Sequence, residues 1–121
     1  MRFIDRYPIV VTSQLLKCRD FWTRHLGFEV RFENDWFVYL GADGASMAFM
    51  APDHPSQPPG PEPFVNGACM ELEVADCAAA LAEFEASGGI VDYGLSDEPF
   101  GQRRFGFRDP SGLWVDVVQQ L

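Results

Sequence analysis

Long apolar runs are missing from this 121-residue sequence. No stretch approaches the ~18 residues that a membrane-spanning helix needs, so no membrane association is expected. Basic residues are also few: nine Lys and Arg stand against eighteen Asp and Glu, a formal charge of −9. Nucleic acid, whose phosphates call for a basic face, is therefore not expected as a partner. A cationic or neutral ligand suits this charge better, although an acidic surface also serves solubility alone. A glycine-rich phosphate loop is absent, since Gly60, Gly67 and Gly101 are scattered. Cysteine occurs three times, as Cys18, Cys69 and Cys77, an odd number with no CxxC pair. Reduced thiols in a cytoplasmic protein are the simple expectation. The first residues, Met1-Arg2-Phe3-Ile4-Asp5, also lack the apolar stretch of a signal peptide. What the chain does have is apolar and aromatic content: 47% hydrophobic residues, with 11 Phe and 3 Trp, which excludes intrinsic disorder. A chain of this length buries about two thirds of its unfolded surface, enough for a core without staples, and one domain over 1–121 is expected.

Prolines divide the sequence. Pro52, Pro55, Pro58, Pro59, Pro61 and Pro63 fall within 51–66, which reads as a linker because proline fixes φ and removes donors. On its N-terminal side, 7–11 reads as a buried strand. Leu15, Cys18, Trp22 and Leu26 then recur at spacings of three and four, the stripe of an amphipathic helix with Thr12 or Ser13 as cap and Gly27 as stop. On the C-terminal side, 68–74 reads as a strand, Asp76 as an N-cap, and Cys77, Leu81 and Phe84 as a second helical stripe ended by Gly88-Gly89. A shift of 62 residues carries Tyr7 to Cys69, Gln14 to Asp76, Trp22 to Phe84 and Gly27 to Gly89. Agreement of strand, helix and stop implies an internal repeat. Three strands follow each helix: 28–33, 36–40 and 46–50 in the first half, 90–93, 103–108 and 113–119 in the second. The expectation is an α+β fold of two βαβββ repeats, repeat 1 over 1–51 and repeat 2 over 67–121 joined by the linker 52–66. The repeats would form a curved eight-stranded mixed sheet, an open barrel, with helices on the outer face.

Alternation of side chains sorts each strand into a helix-covered and an open face. Met70, Leu72 and Val74 belong under a helix, which turns Cys69, Glu71 and Glu73 to the open side. In the last strand Trp114 and Asp116 are open. The repeat adds Tyr7, and matching Gly44 to Gly112 sets Ala48 opposite Asp116. Acids and aromatics on a concave face describe a ligand groove. The competing reading has Trp114 in the core and Glu71 and Asp116 at a solvated mouth.

Leu26-Gly27-Phe28-Glu29 after a helix bearing Phe21-Trp22, and Arg108-Asp109-Pro110-Ser111-Gly112 before the last strand, resemble the vicinal oxygen chelate superfamily. That superfamily includes glyoxalase I, bleomycin-resistance proteins and extradiol dioxygenases. The resemblance implies a divalent metal on the first, fourth, fifth and eighth strands of its metalloenzymes, positions that here carry Tyr7, Ala48, Cys69 and Asp116. Ala48 has no donor and the other three mix hard and soft ligands, so no metal or other cofactor is expected. His25 lies at a helix end, where it can meet the last carbonyls, and His54 lies in the linker. Cys69 reads as a small buried thiol, there being no histidine placed to activate it as a nucleophile. Glu71 or Asp116 serves as a general base only if burial raises its pKa. Arg103 and Arg104 hold an anionic ligand group or pair with the many carboxylates.

Two functions of different class follow. The first is a small-molecule-binding protein resembling bleomycin-resistance proteins, with a role in antibiotic resistance. It sequesters an aromatic or cationic ligand in a groove lined by Tyr7, Trp36, Cys69, Glu71, Trp114, Asp116 and Arg104. The alternative is a glyoxalase-like lyase, isomerase or dioxygenase that uses a divalent metal held by Cys69 and Asp116. A homodimer is expected in either case, because the sheets of so short a chain leave edges and faces uncovered.

Overall fold

The computed structural model describes all residues except Phe3 and 53–67. Nearly all of the expected linker, and His54 with it, lies outside the described residues. The elements in order are β1 (Ile9–Val11), α1 (Leu15–Leu26), β2 (Glu29–Glu33), β3 (Phe37–Ala42) and β4 (Ala45–Met50). The second series is β5 (Cys69–Glu73), α2 (Cys77–Ala86), β6 (Tyr93–Glu98), β7 (Gln102–Arg108) and β8 (Trp114–Gln120). These are two βαβββ units with the same topology. The strands fall into two four-stranded mixed sheets, β1-β4-β3-β2 and β5-β8-β7-β6, with no closed barrel. In each sheet the first strand runs parallel to the last, and the register agrees: Ile9 faces Ala48 and Glu71 faces Asp116. Among the described residues no helix is long and apolar enough to cross a membrane.

Local chemistry explains the element ends. Gly27 closes α1 in the left-handed region, φ 70°, its N–H bonding to the Trp22 carbonyl. Asp76 caps α2, its carboxylate accepting from the Ala79 N–H at 3.0 Å. The start of α1 departs from expectation. Its N-cap is Gln14 without a side-chain bond, while Thr12 Oγ1 accepts from the Gln14 N–H at 3.0 Å and so braces the turn before it. Helix α2 ends at Ser87, and the left-handed residue is Gly88, φ 90°, one place before the position the repeat indicated. Gly89 is needed for a different reason: a Cβ there would overlap the Phe84 ring. The strand expected at 90–93 instead spans Tyr93–Glu98. Gly94, Ser96 and Asp97 have poor strand propensity, and pairing with β7 imposes the extended form, with a bulge between Tyr93 and Ser96.

The two units share one core. Val10, Cys18, Trp22, Phe28, Leu40 and Phe49 from the first join Cys77, Phe84, Phe105, Phe107, Val115 and Val117 from the second in a single buried cluster. Phe84 and Phe107 stack at 4.2 Å, and Phe21 reaches across to Phe107 at 5.8 Å. The units meet through α1, α2 and the β7–β8 connection, and no strand of one sheet lies beside a strand of the other. The helix-covered sides therefore face inward, and each sheet keeps its other face open.

A fully buried polar contact joins the two units within this core. Trp22 Nε1–H donates to Asp109 Oδ2 at 2.9 Å, where Trp22 is fully buried and Asp109 is 4% exposed. Trp22→Phe removes the donor and leaves a small void. It should cost about 2–4 kcal/mol, read as a lower urea midpoint at unchanged slope. A loss well below this would show that the two units do not depend on the contact.

Candidate functional site

The open face of the second sheet carries the chemistry. Cys69, Glu71 and Glu73 of β5 stand opposite Trp114, Asp116 and Val118 of β8. Gly106 of β7 lies beside Asp116, and a Cβ there would overlap the Trp114 indole, so the ring lies against bare backbone. Arg104, also on β7, is the centre of a network. Its Nη1 donates to Asp116 Oδ1 at 3.0 Å and its Nε to Glu98 Oε1 at 3.3 Å, while its guanidinium sits 4.5 Å from the Tyr93 ring centroid. Tyr93 Oη–H donates to the same Glu98 oxygen at 2.6 Å. That hydrogen bond first, with Ser96 and Arg104 behind it, holds the Glu98 carboxyl below its ordinary value. Arg103 points the other way in sequence alternation and pairs with Asp97 through two bonds, at 2.6 and 3.0 Å.

The expected groove residues separate accordingly. Glu71, Asp116, Arg104, Trp114 and Cys69 share one face. Tyr7 and Trp36 belong to the first sheet: Tyr7 is 43% exposed with its ring 4.8 Å from Tyr39, and Trp36 stands at the head of β3, its ring 5.7 Å from Phe37. Since no strand of one sheet lies beside a strand of the other, one chain does not enclose the two sets in a common interior. Three further expectations need correction. Cys69 is exposed, because β5 borders its sheet and nothing in the described residues covers it. Asp116, expected on an open groove face or at a solvated mouth, is only 8% exposed and is bonded to Arg104. His25 bonds through Nδ1 to Ser87 Oγ at 2.7 Å rather than to its helix's last carbonyls. Tyr93 and Glu98 were missed because the strand that aligns them with Arg104 was placed too early in the sequence.

The metal positions can be tested on the side chains themselves. Ala48 is fully buried and offers no donor. Asp116 is already engaged by a fixed cation, the Arg104 guanidinium, at Oδ1. Among the described residues no three His, Cys, Asp or Glu side chains converge. The set does not fit a divalent ion.

Two βαβββ units with open sheet faces and the Asp109-Pro110-Ser111-Gly112 corner before the last strand define the vicinal oxygen chelate architecture. A family model of the Glyoxalase/Bleomycin resistance protein/Dioxygenase superfamily matches residues 4–117, and the chain belongs to that superfamily. Solved structures agree in fold. A glyoxalase/bleomycin resistance protein/dioxygenase from Nocardioides superposes with a TM-score of 0.79 at 19% identity, over 100% of this chain and 85% of that one. A virulence protein from Salmonella typhimurium gives 0.78 at 17% identity, over 99% and 100%. TioX from Micromonospora sp. ML1 gives 0.74 at 17% identity, over 95% and 97%. No curated protein matches the sequence.

Two measurements check this site. Burial, with Asp109 nearby adding to it, pushes the Cys18 thiol up to about 12, and burial raises Cys77 as well. An aromatic disulfide reagent at neutral pH should therefore modify Cys69 quickly in the native protein and the other two thiols only on unfolding; equal rates would contradict the burial. Tyr93→Phe removes the main donor to Glu98, whose carboxyl should then titrate closer to its ordinary 4.5 by carbon-detected NMR. Because the depressed pKa stabilises the fold above that value and the benefit is lost as pH falls through the folded pKa, the variant should also respond less to acid between the two. An unmoved Glu98 midpoint would assign the depression to Arg104 instead.

Proposed function

We propose that the protein binds a small aromatic cation, without turning it over, in a groove whose floor is the open face of the second sheet. The observation that carries this reading is the pairing of Glu71 and Trp114 on one face while Asp116 is already satisfied. Glu71 is exposed and, among the described residues, has no partner, and it lies two residue pairs along the β5–β8 ladder from the half-buried Trp114, at the next position on the same face. A ring and a carboxylate together favour a flat cationic ligand, which would take the place of the Arg108 guanidinium now 5.4 Å from the Trp114 ring centroid. The Arg104–Asp116–Glu98 network is then the rigid support beneath the floor. Chemistry that needs a divalent ion is disfavoured by the donor set. Sequestration is the mode of action that the bleomycin-resistance part of the family's name points to.

The partner we propose is a second copy of the chain. The open face of the first sheet presents Tyr7, Phe32, Phe37 and Tyr39, of which Phe32 is 54% exposed. Such a face, turned away from the second sheet of its own chain, suits the second sheet of another. An aromatic wall from one copy would then close over the acidic floor of the other. All three cysteines are unpaired thiols, which fits a cytoplasmic setting.

Titration with N-methylacridinium, followed by tryptophan fluorescence and calorimetry, should saturate. Glu71→Gln should weaken binding by about 1 kcal/mol, roughly fivefold, the scale of a partly exposed charge contact. Light scattering should return twice the chain mass of 13.6 kDa. A stoichiometric divalent ion in the purified protein, with turnover restored by adding it back after chelation, would overturn the reading in favour of a metal-dependent lyase or dioxygenase.

A further inference from the structure

The corresponding corners of the two units are unequal. The β3–β4 corner is a tight turn through Asp43 and Gly44, at φ 47° and 81°. The β7–β8 corner spans residues 109–113 and reaches across to the first unit. There Asp109 accepts from the Trp22 indole. This corner closes the end of the first unit's core, where Val10, Thr12, Cys18, Trp22 and Phe49 are all buried. The shift of 62 residues maps four of these onto Leu72, Val74, Ala80 and Phe84, and the matching strand pairs, Val10 with Phe49 and Leu72 with Val117, supply the fifth. On that side the short Asp43-Gly44 turn does not arrive. These five residues line a cavity of about 350 Å³, bordered by the end of α1. Leu72, Val74 and Ala80 are only half-buried in consequence.

The cavity has a definite chemistry. Its walls are carbon, from the five residues above with Leu26 and Phe105, and its rim is Arg24, His25 and Glu83. The rim charges offset one another, and apolar walls disfavour an ion. Ser87 Oγ–H donates to the Phe84 carbonyl at 2.6 Å, so the same oxygen must accept from His25 Nδ1–H. That tautomer leaves His25 Nε2 as an acceptor. Desolvation, with Arg24 second, holds His25 below its ordinary value, which keeps the ring neutral. An apolar cavity of ~150 Å³ already admits benzene, so this one has room for two fused rings.

We propose that this cavity is a second ligand site, on the helix-covered side of the second sheet, for a neutral one- or two-ring aromatic molecule that carries a hydrogen-bond donor. It exists because the first unit lacks the plug that the second unit supplies.

Indole is the probe, and 1-methylindole, which lacks the donor, is the control. In protein labelled at methyl carbons, indole should shift Leu26, Leu72, Val74 and Val117 in a saturable way and leave Ile9 and Val118 of the open faces unmoved. Its affinity should exceed that of 1-methylindole by about fivefold, the worth of one net hydrogen bond. His25→Phe should erase that difference. Ala80→Leu fills the cavity and should abolish the shifts while the thermal transition stays cooperative; if it does not fold, Val74→Leu serves the same purpose. Absence of saturation, shifts confined to the open faces, or undiminished binding in the folded filled variant each overturn the proposal. None of these results bears on the aromatic-cation site, which is read at Trp114 and Glu71 with a charged probe.

Discussion

A carboxylate taken out of water must have its hydration replaced by donors, and Asp109 shows how that requirement organises this molecule. Its Oδ1 accepts from the Ser111 N–H, the Ser111 hydroxyl and the Leu113 N–H, at 2.8, 2.6 and 3.1 Å. Those bonds shape the corner before β8. Its Oδ2 takes the indole N–H of Trp22, from the opposite unit and 87 residues away in sequence. One side chain thus fixes the corner's conformation and the docking of the two repeats. Because the corner projects on the helix side, docking brings the helix-covered faces together and leaves both open faces outward. The shared core, the outward site and the unequal corners all follow from that geometry.

The outward site has its own constraint. A buried carboxylate at position 116 needs a counter-charge, and in this chain Arg104 provides it from the neighbouring strand. The guanidinium is in turn held by Glu98 and stacked on Tyr93, so it is not free to leave. The family's metal would neutralise the same carboxylate by a different route. With Ala48 at the equivalent position of the first sheet there is no donor to complete a metal shell, and a fixed arginine is the consistent alternative. The charge that remains for a ligand is then the exposed Glu71, which explains why the free acid on this face, rather than the buried one, carries the functional reading.

Much of the fold was legible because it is local. Periodicity placed Leu15, Cys18 and Trp22 on one helical stripe, and all three are buried. Alternation put Val115 and Val117 under the helices and Trp114 and Asp116 on the open side, and a repeat shift of 62 residues matched β1 to β5. Where pairing overrides propensity, the sequence misled. Tyr93–Glu98 has weak strand character and is held by β7, so Tyr93 and Glu98 could not be joined to Arg104 in advance. Burial of Cys69 was inferred from residue type, yet exposure is decided by which strand borders the sheet, and that is a property of the assembled topology. The Trp22–Asp109 contact had no sequence signal at all: the Asp-Pro-Ser-Gly corner was readable as a turn, but its reach into the other repeat was not.

Repetition in sequence does not oblige repetition in packing. The two units share topology and register, and equivalent residues even touch at the local two-fold, where His25 meets Ser87, 62 positions on. Their corners nevertheless differ by three residues in length (109–113 against 43–44), and a short turn cannot substitute for a long one. The large Trp22 in one unit, capped by Asp109, is matched by the smaller Phe84 in the other, which receives no cap. Phe84 compensates by stacking on Phe107 and by packing against the bare backbone of Gly89. That compensation buries the ring itself and leaves its neighbours Leu72, Val74 and Ala80 only half-buried. The asymmetry is therefore built into the sequence at few positions, and the same positions decide that the first unit is sealed while the second keeps a cavity.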